Sequence, residues 1–355
     1  MRASAPIGLM NDRAASDEIV RLLEAPFRDL VFCDWDQDFI TTREGLESMR
    51  VALVDRYLSC RNHVVPWLDH ALSLRPRNVV EIGSGTGSSS VALAERACHV
   101  TAFEIDEASV LAARERADAH DVSNVSFELC APDEIVARAT AVGGIDLFLM
   151  VAVLEHLTES ERNETLGMLW QALEPGGALA IVETPNRLSY YDGHSSVQDF
   201  THLLPDALAF RLADTSPRVA YRDVMRRAAG EPTVEDSSIT RARFGLGASY
   251  HEFMAAIDEP LDEIVVADGY EPEILSWFGI YFEEQILLQY MVGRGLPIPF
   301  GFARSVMNLV LRKPRDDEDR RRNARRNADR RRYLTDLHSG PPYNWRTAQG
   351  APAAV

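Results

Sequence analysis

Three glycines at alternate positions, Gly83, Gly85 and Gly87, follow directly on Val79-Val80-Glu81-Ile82, an aliphatic run that encloses one acid. Ser88, Ser89 and Ser90 come next and lead into Val91-Ala92-Leu93-Ala94. Glycine serves where the backbone needs positive φ or where a ligand comes too close for a Cβ, and serine suits a helix N-cap. The order therefore predicts a buried strand, a tight loop and a helix start, and the loop reads as a nucleotide-type binding turn. A turn that only redirects the chain is the plain alternative. A nicotinamide enzyme, which uses G-x-G-x-x-G at the same place, is the stronger one. Here the spacing is G-x-G-x-G, and Glu81 stands where the amino group of a ligand could be met. A second acid, Glu104, ends the next strand, His99-Val100-Thr101-Ala102-Phe103. It lies about 20 residues on, where a carboxylate takes hydrogen bonds from ribose hydroxyls.

Proton transfer is the second chemistry on offer, because histidine titrates near neutral pH. His156 lies in Val153-Leu154-Glu155-His156-Leu157, His194 in Tyr190-Tyr191-Asp192-Gly193-His194, and His251 in Tyr250-His251-Glu252. Each is a candidate base or substrate contact, set against a structural hydrogen bond or a place in a pocket wall. His202, beside Leu203 and Leu204, reads as packing. The four cysteines, Cys33, Cys60, Cys98 and Cys130, form no C-x-x-C pair and have no histidine at zinc-ligand spacing. With no Asp-Asn-Asp constellation for a divalent cation either, no metal is expected and the thiols are read as reduced.

Alternating strands and helices must position these groups. From Asn78 onward the pattern is that of a parallel α/β sheet, with strands at 79–82, 100–104, 125–129, 145–150 and 179–184. Leu166, Leu169, Trp170 and Leu173 form one core stripe of the helix before the fifth strand. Residues 1–65 read as helical, since Leu46, Met49, Leu53 and Tyr57 fall at helical spacing. The acids around Trp35 read as an exposed turn more readily than as a contact for a cationic acceptor.

The chain of 355 residues suits one elaborated domain or two, and 46% hydrophobic residues suffice for a core. A formal net charge of −17 argues against nucleic acid as a partner, since phosphate contacts need clustered Lys and Arg. Lys313 is the only lysine amid many arginines and alanines, which suggests a GC-rich bacterial genome. The first residues lack the pattern of a secretory signal, and no segment approaches the ~20 apolar residues of a membrane span. A cytoplasmic protein is expected.

Four blocks in order resemble the motifs of class I S-adenosylmethionine-dependent methyltransferases of the bacterial small-molecule type. They are Glu81 to Gly87, Glu104, Ile145-Asp146-Leu147-Phe148-Leu149 running into Leu154-Glu155-His156-Leu157, and Leu173-Glu174-Pro175-Gly176-Gly177 followed by Glu183-Thr184-Pro185-Asn186-Arg187. The Leu-Glu-His-Leu and Glu-Pro-Gly-Gly blocks argue against a nicotinamide enzyme. The resemblance implies a Rossmann-like seven-stranded α/β sheet with N-terminal helices and two lid-forming inserts. It divides the chain into a helical segment 1–65, a core 66–187, an insert 188–247, the rest of the core 248–313 and a charged tail 314–355. Within 248–313 it implies a helix at 251–257, a sixth strand at 263–267 and an antiparallel seventh at 306–311, separated by an aromatic insert 270–304 containing Trp277, Phe278, Tyr281, Phe282 and Tyr290. The tail, in which Asp316 to Asp319 meet a run of arginines, reads as a solvated, salt-bridged helix, with binding to nucleic acid or an anionic surface as the alternative.

By the same resemblance the cofactor is S-adenosylmethionine and the product S-adenosylhomocysteine, held by Glu81, Gly83, Ser84, Gly85, Gly87, Glu104, Ile105, Ala131, Pro132 and Val151. One position departs from the family: where an acid usually meets the adenine amino group the chain reads Cys130-Ala131-Pro132-Asp133, so Asp133 or backbone groups must substitute. Loops leaving the ends of strands five and six emerge at the edge where open α/β sheets bind ligands. Both inserts are therefore expected to close over an acceptor, with Arg187, Tyr190, Tyr191, Asp192, Tyr250 and Tyr281 as substrate contacts and His156, His194 or His251 as base. Core packing of a small lid or a homodimer contact are the plain readings of the aromatic residues. The acceptor is expected to be a small molecule methylated on oxygen. Sulfur or nitrogen acceptors, a protein or RNA substrate, and a cofactor-binding protein without transfer activity stand as alternatives.

Overall fold

Aliphatic strands without polar alternation are stable only where both faces of a sheet are covered, and that is how the first five strands sit. In the computed structural model, which describes residues 7–33, 35–269 and 282–338, β1 (Asn78–Ile82), β2 (His99–Glu104), β3 (Val125–Leu129), β4 (Leu147–Val151) and β5 (Ala178–Pro185) are mutually parallel. A two-residue hairpin pairs β6 (Tyr191–Asp192) with β7 (Gln198–Asp199) apart from the main sheet. The main sheet is finished by β8 (Val265–Asp268) and β9 (Val306–Arg312), in the order β3-β2-β1-β4-β5-β9-β8. β9 runs antiparallel to both of its neighbours. The expected seven-stranded Rossmann-like sheet with an antiparallel seventh strand is what forms. The sixth strand starts two residues late because Pro260 opens a short helix, Leu261–Ile264.

Ile82 pairs with both Phe103 and Met150, and Met150 with Ile181, so the carboxyl ends of β2, β1, β4 and β5 are level. The strand order reverses at β1 and β4, which opens a crevice there between loops that leave in opposite directions.

One face of the sheet is covered by the helices Ser88–Ala94 and Glu107–Ala119 together with the N-terminal helices, the other by Glu159–Ala172 and Tyr250–Ile257. Asp12–Leu30 buries Ile19, Leu23 and Phe27. Helical backbone then runs from Arg43 to Leu72 with two wide π turns, Val51–Asp55 and Cys60–Val64. Wide turns inside a helix leave carbonyls without their usual donors and cluster at functional sites. The donor here is Arg116, fully buried, which bonds Ala52 O at 2.8 Å, Leu53 O at 2.9 Å and Thr86 O at 2.9 Å and stacks over Phe27. One guanidinium thus joins the N-terminal helices to the glycine loop.

The tail corrects an expectation. Helix Asp317–His338 is not solvated on all sides but lies along β8, the edge of the sheet. Arg326 bonds Val265 O, Asn327 bonds Asp262 O and Val265 O, and Arg330 pairs with Asp268 at 2.8 Å. Arg320 meets Glu259, and Leu334 is buried. The basic run supplies donors to strand carbonyls that would otherwise face water or another chain, so much of it is unavailable to an anionic surface. No described helix is long and apolar enough to cross a membrane.

Candidate functional site

Above the level strand ends lies a cleft of about 1210 Å³. On one side Gly83, Ser84, Gly85 and Thr86 form its floor, with Glu104, Ile105, Pro132 and Asp133 beside them. All three loop glycines have positive φ, 72°, 50° and 77°. At Gly85 a Cβ would meet nothing within 4 Å, so the loop backbone is bare toward the cleft and a ligand can lie against it. Glu104 fixes that backbone: Oε2 accepts from Gly85 N at 2.6 Å, and Oε1 from Ile105 N at 2.7 Å and Asp106 N at 3.1 Å. A carboxylate offers about four acceptor positions, so one remains open to a further donor.

Other expected cofactor contacts stand elsewhere. Glu81 is fully buried beneath the loop and takes hydrogen bonds from the Ser89 and Ser90 hydroxyls, while burial pushes its carboxyl up to about 7. It anchors the helix start and does not reach the cleft wall. Gly87 sits behind the loop, where a Cβ would lie 2.8 Å from the Ala113 methyl, and Ala131 is exposed outside the lining. Val151 lines the cleft at the end of β4.

The opposite side holds groups that the sequence did not reveal. Val51, Asp55, Arg56, Ser59 and Cys60 enter from the π-turn stretch, Glu161, Glu164 and Met168 from helix Glu159–Ala172, Glu183 from β5, and Arg243 from helix Val234–Gly245. Ala152 and Glu183, just past β4 and near the end of β5, have positive φ, 53° and 57°, a strained backbone for residues other than glycine. Asn308 of β9 holds the Glu183 turn by accepting from its N–H at 2.9 Å. An acid at the carboxyl end of a buried strand was the readable signal for Glu183. The π turns had none, since they shift side chains off the regular helical stripe.

Of the three histidines, His156 lines the cleft. Its Nδ1 lies 3.0 Å from Arg243 O, which fixes the proton there and leaves Nε2 with a free lone pair. Burial lowers its pKa below 6.5. His194 packs against it, ring centroids 5.6 Å apart, and is pushed down to about 4 by burial and by His156. His251 lies apart: it is exposed on helix Tyr250–Ile257, stacked on Tyr250 and 3.2 Å from Ser249 Oγ. Of the three candidate bases, His194 and His251 are thus not among the residues that line the cleft.

The expected substrate contacts are likewise displaced. Asp192 is sealed in the insert. Burial opposes its charge, yet the His202 ring 2.9 Å away and the N–H groups of Ser195 and Ser196 outweigh that and hold its carboxyl below the usual range. His202 is thus a close neighbour of the Asp192 carboxylate as well as packing. Tyr190 pairs with Phe200, Tyr250 with His251 and Phe302, Tyr191 is exposed, and Arg187 belongs to the turn after β5; none lines the cleft. Tyr281, Trp277 and Phe278 lie outside the described residues. Of the two inserts expected to form a lid, residues 270–281 of the second lie outside the described residues. Among described residues, the insert 188–247 reaches the cleft through Arg243, and helix Phe282–Gly293 packs on the tail helix.

Residues 79–177, the stretch that carries the glycine loop, Glu104 and His156, match the family described as methyltransferase domain. This stretch is a methyltransferase domain. Solved structures resemble the chain at low likeness. The CcbJ methyltransferase from Streptomyces caelestis is 23% identical over 39% of this chain and 56% of its own, with a TM-score of 0.32. The magnesium protoporphyrin IX methyltransferase of Synechocystis PCC 6803 is 18% identical over 56% of this chain and 83% of its own, at 0.33. The YcgJ protein of Bacillus subtilis is 16% identical over 33% and 51%, at 0.27. The chain thus spans only about half the length of YcgJ and CcbJ, and scores this low carry nothing about an acceptor. No curated protein matches the chain. The methyltransferase domain supplies the glycine-loop side of the cleft and His156, while most of the opposite wall comes from the N-terminal helices, β5 and Arg243 of the insert.

Proposed function

We propose that the chain transfers the methyl group of S-adenosylmethionine to an oxygen of a small molecule bound between Arg56, Glu183 and His156. The observation that carries this reading is His156, on the cleft wall with its tautomer fixed and Nε2 free to take a proton. The cleft exceeds the roughly 300–1,000 Å³ of ordinary small-molecule pockets, so cofactor and acceptor fit together. The bare backbone at Gly85 and the remaining lone pair of Glu104 suit the cofactor's methionine and ribose parts.

S-adenosylmethionine, once bound, supplies a methyl group on a sulfonium sulfur that leaves neutral with the bonding pair. The protein's contribution is then chiefly alignment: the glycine loop and Glu104 hold one reactant, the opposite wall the other, and orientation accounts for much of the acceleration. As the acceptor oxygen bonds to the methyl carbon, its proton passes to His156 Nε2. Asp55, Glu164 and Glu183 favour a second reading, transfer to a thioether sulfur or an amine nitrogen, because their carboxylates would stabilise the positive charge such an acceptor gains.

Incubating the purified protein and deuteromethyl cofactor with a cell extract tests the proposal. Label on an oxygen of a small metabolite is the expected result. Label on sulfur or nitrogen selects the second reading, and label in polymer or nowhere overturns both.

A further inference from the structure

Glu155, His156 and His194 converge at the rim of the cleft, with one possible ligand atom from each lying within 4.8 Å of the other two. Glu155 is fully buried, and its Oε2 receives the Thr184 hydroxyl at 3.3 Å, while Oε1 has no hydrogen-bond partner among the described residues and lies within 3.9 Å of His156 Nε2. A buried carboxylate oxygen without a partner is costly unless something positive meets it. His156 is oriented as metal-binding histidines are, with the distal ring nitrogen donating to a backbone carbonyl, here Arg243 O. Gly245, at φ 113°, leaves the space that the His194 ring fills, for a Cβ there would lie 2.5 Å from the ring. The His194 backbone is held by Asp192, which accepts from its N–H at 3.2 Å, and by Arg218, which donates to its carbonyl.

We propose that Glu155, His156 and His194 bind a divalent first-row transition cation of the Zn2+ type, which ties the insert 188–247 to the edge of the methyltransferase domain. Two imidazoles and one carboxylate suit such a cation, with further positions open to water or ligand, whereas Mg2+ and Ca2+ prefer an all-oxygen set. Bonds of about 2.0–2.2 Å require the three side chains to draw in by several tenths of an ångström, a movement open to the two half-buried histidines. The cation takes the same Nε2 lone pair that accepts the acceptor's proton, so the metal-bound state and the base state exclude one another.

The test uses the full chain, stripped with chelator and dialysed against buffered free Zn2+, with Co2+ absorption as a second probe of the ligand set. Wild-type protein should hold one cation per chain, and each of Glu155→Gln, His156→Gln and His194→Gln should weaken binding by about tenfold or more, while His251→Gln leaves it unchanged. Binding of S-adenosylhomocysteine by the same samples shows that the variants are folded. Absence of stoichiometric binding by the wild type, or equal binding by all variants, would overturn the site. Neither outcome touches methyl transfer, which is assayed separately with chelator present.

Discussion

Exchanging Glu104 for glutamine alters one oxygen in a side chain of unchanged shape. Oε2 meets one backbone donor, Gly85 N, and Oε1 meets two, Ile105 N and Asp106 N. The amide keeps its oxygen where two donors converge and turns its NH2 on the Gly85 N–H, donor against donor. One charge-assisted hydrogen bond, worth about 1.5–3 kcal/mol, is lost from the free protein. A ribose hydroxyl then meets a neutral partner, whose bonds are about half as strong. Glu104 is 8% exposed, so water restores little. At about 1.4 kcal/mol per tenfold, the weakened ribose bond should lower affinity for S-adenosylhomocysteine by about three- to tenfold, and the melting temperature of the free protein should fall as well. Calorimetric titration and a melting curve measure the two effects. Unchanged affinity in a protein that melts lower would refute the ribose contact, and no change in either would refute the role of Glu104 in holding the loop.

With chelator present, His156→Gln should slow methyl transfer by about 10²–10⁴-fold. The wild-type rate should decline as pH falls through the lowered pKa of His156, below 6.5, because the proton then fills Nε2; the variant's profile should lack that limb. Glu81 is raised from 4.5 to about 7, so between those values the folded state keeps a proton that the unfolded chain has released, and stability falls as pH rises. The span corresponds to an order of 3 kcal/mol, and Glu81→Gln should show a smaller drop in melting temperature between pH 5 and 8 than the wild type. The Arg243–Glu161 pair is 46% and 41% exposed, so Arg243→Met should cost less than about 1 kcal/mol of stability while raising KM for the acceptor and leaving S-adenosylhomocysteine affinity intact. Asn327→Leu, which takes its amide donor from Asp262 O and one of two donors from Val265 O, should lower stability by about 1–3 kcal/mol in urea unfolding.

The parallel strands were legible because each is an aliphatic run closed by a turn, and the glycine loop because its residue types leave few other conformations. Val125–Leu129 was read to the residue, and the antiparallel seventh strand came from family resemblance. What escaped depends on distance in space. The Asp192 and His202 pair closes within the insert, and a sequence that puts Asp192 two residues from His194 gives no sign that its partner is ten residues on. Arg243 reaches the cleft because its helix docks on Leu154–His156, a contact between segments nearly ninety residues apart. The tail misled for a related reason: its arginines look solvated until the edge strand whose carbonyls they meet has been placed.

The place of β9, between β5 and β8, also sets an order of events during synthesis. Strands β1 to β5 leave the ribosome in a continuous stretch and can pair as they appear, but β5 ends at Pro185 and its partner begins only at Val306. While the intervening segment is being made, the growing sheet carries a full row of unpaired amides and carbonyls along β5. That nascent edge is where a chaperone would find its substrate, and where two unfinished chains would join strand to strand. A polypeptide stopped before Val306 would keep the glycine loop, Glu104 and His156 and still carry that open edge.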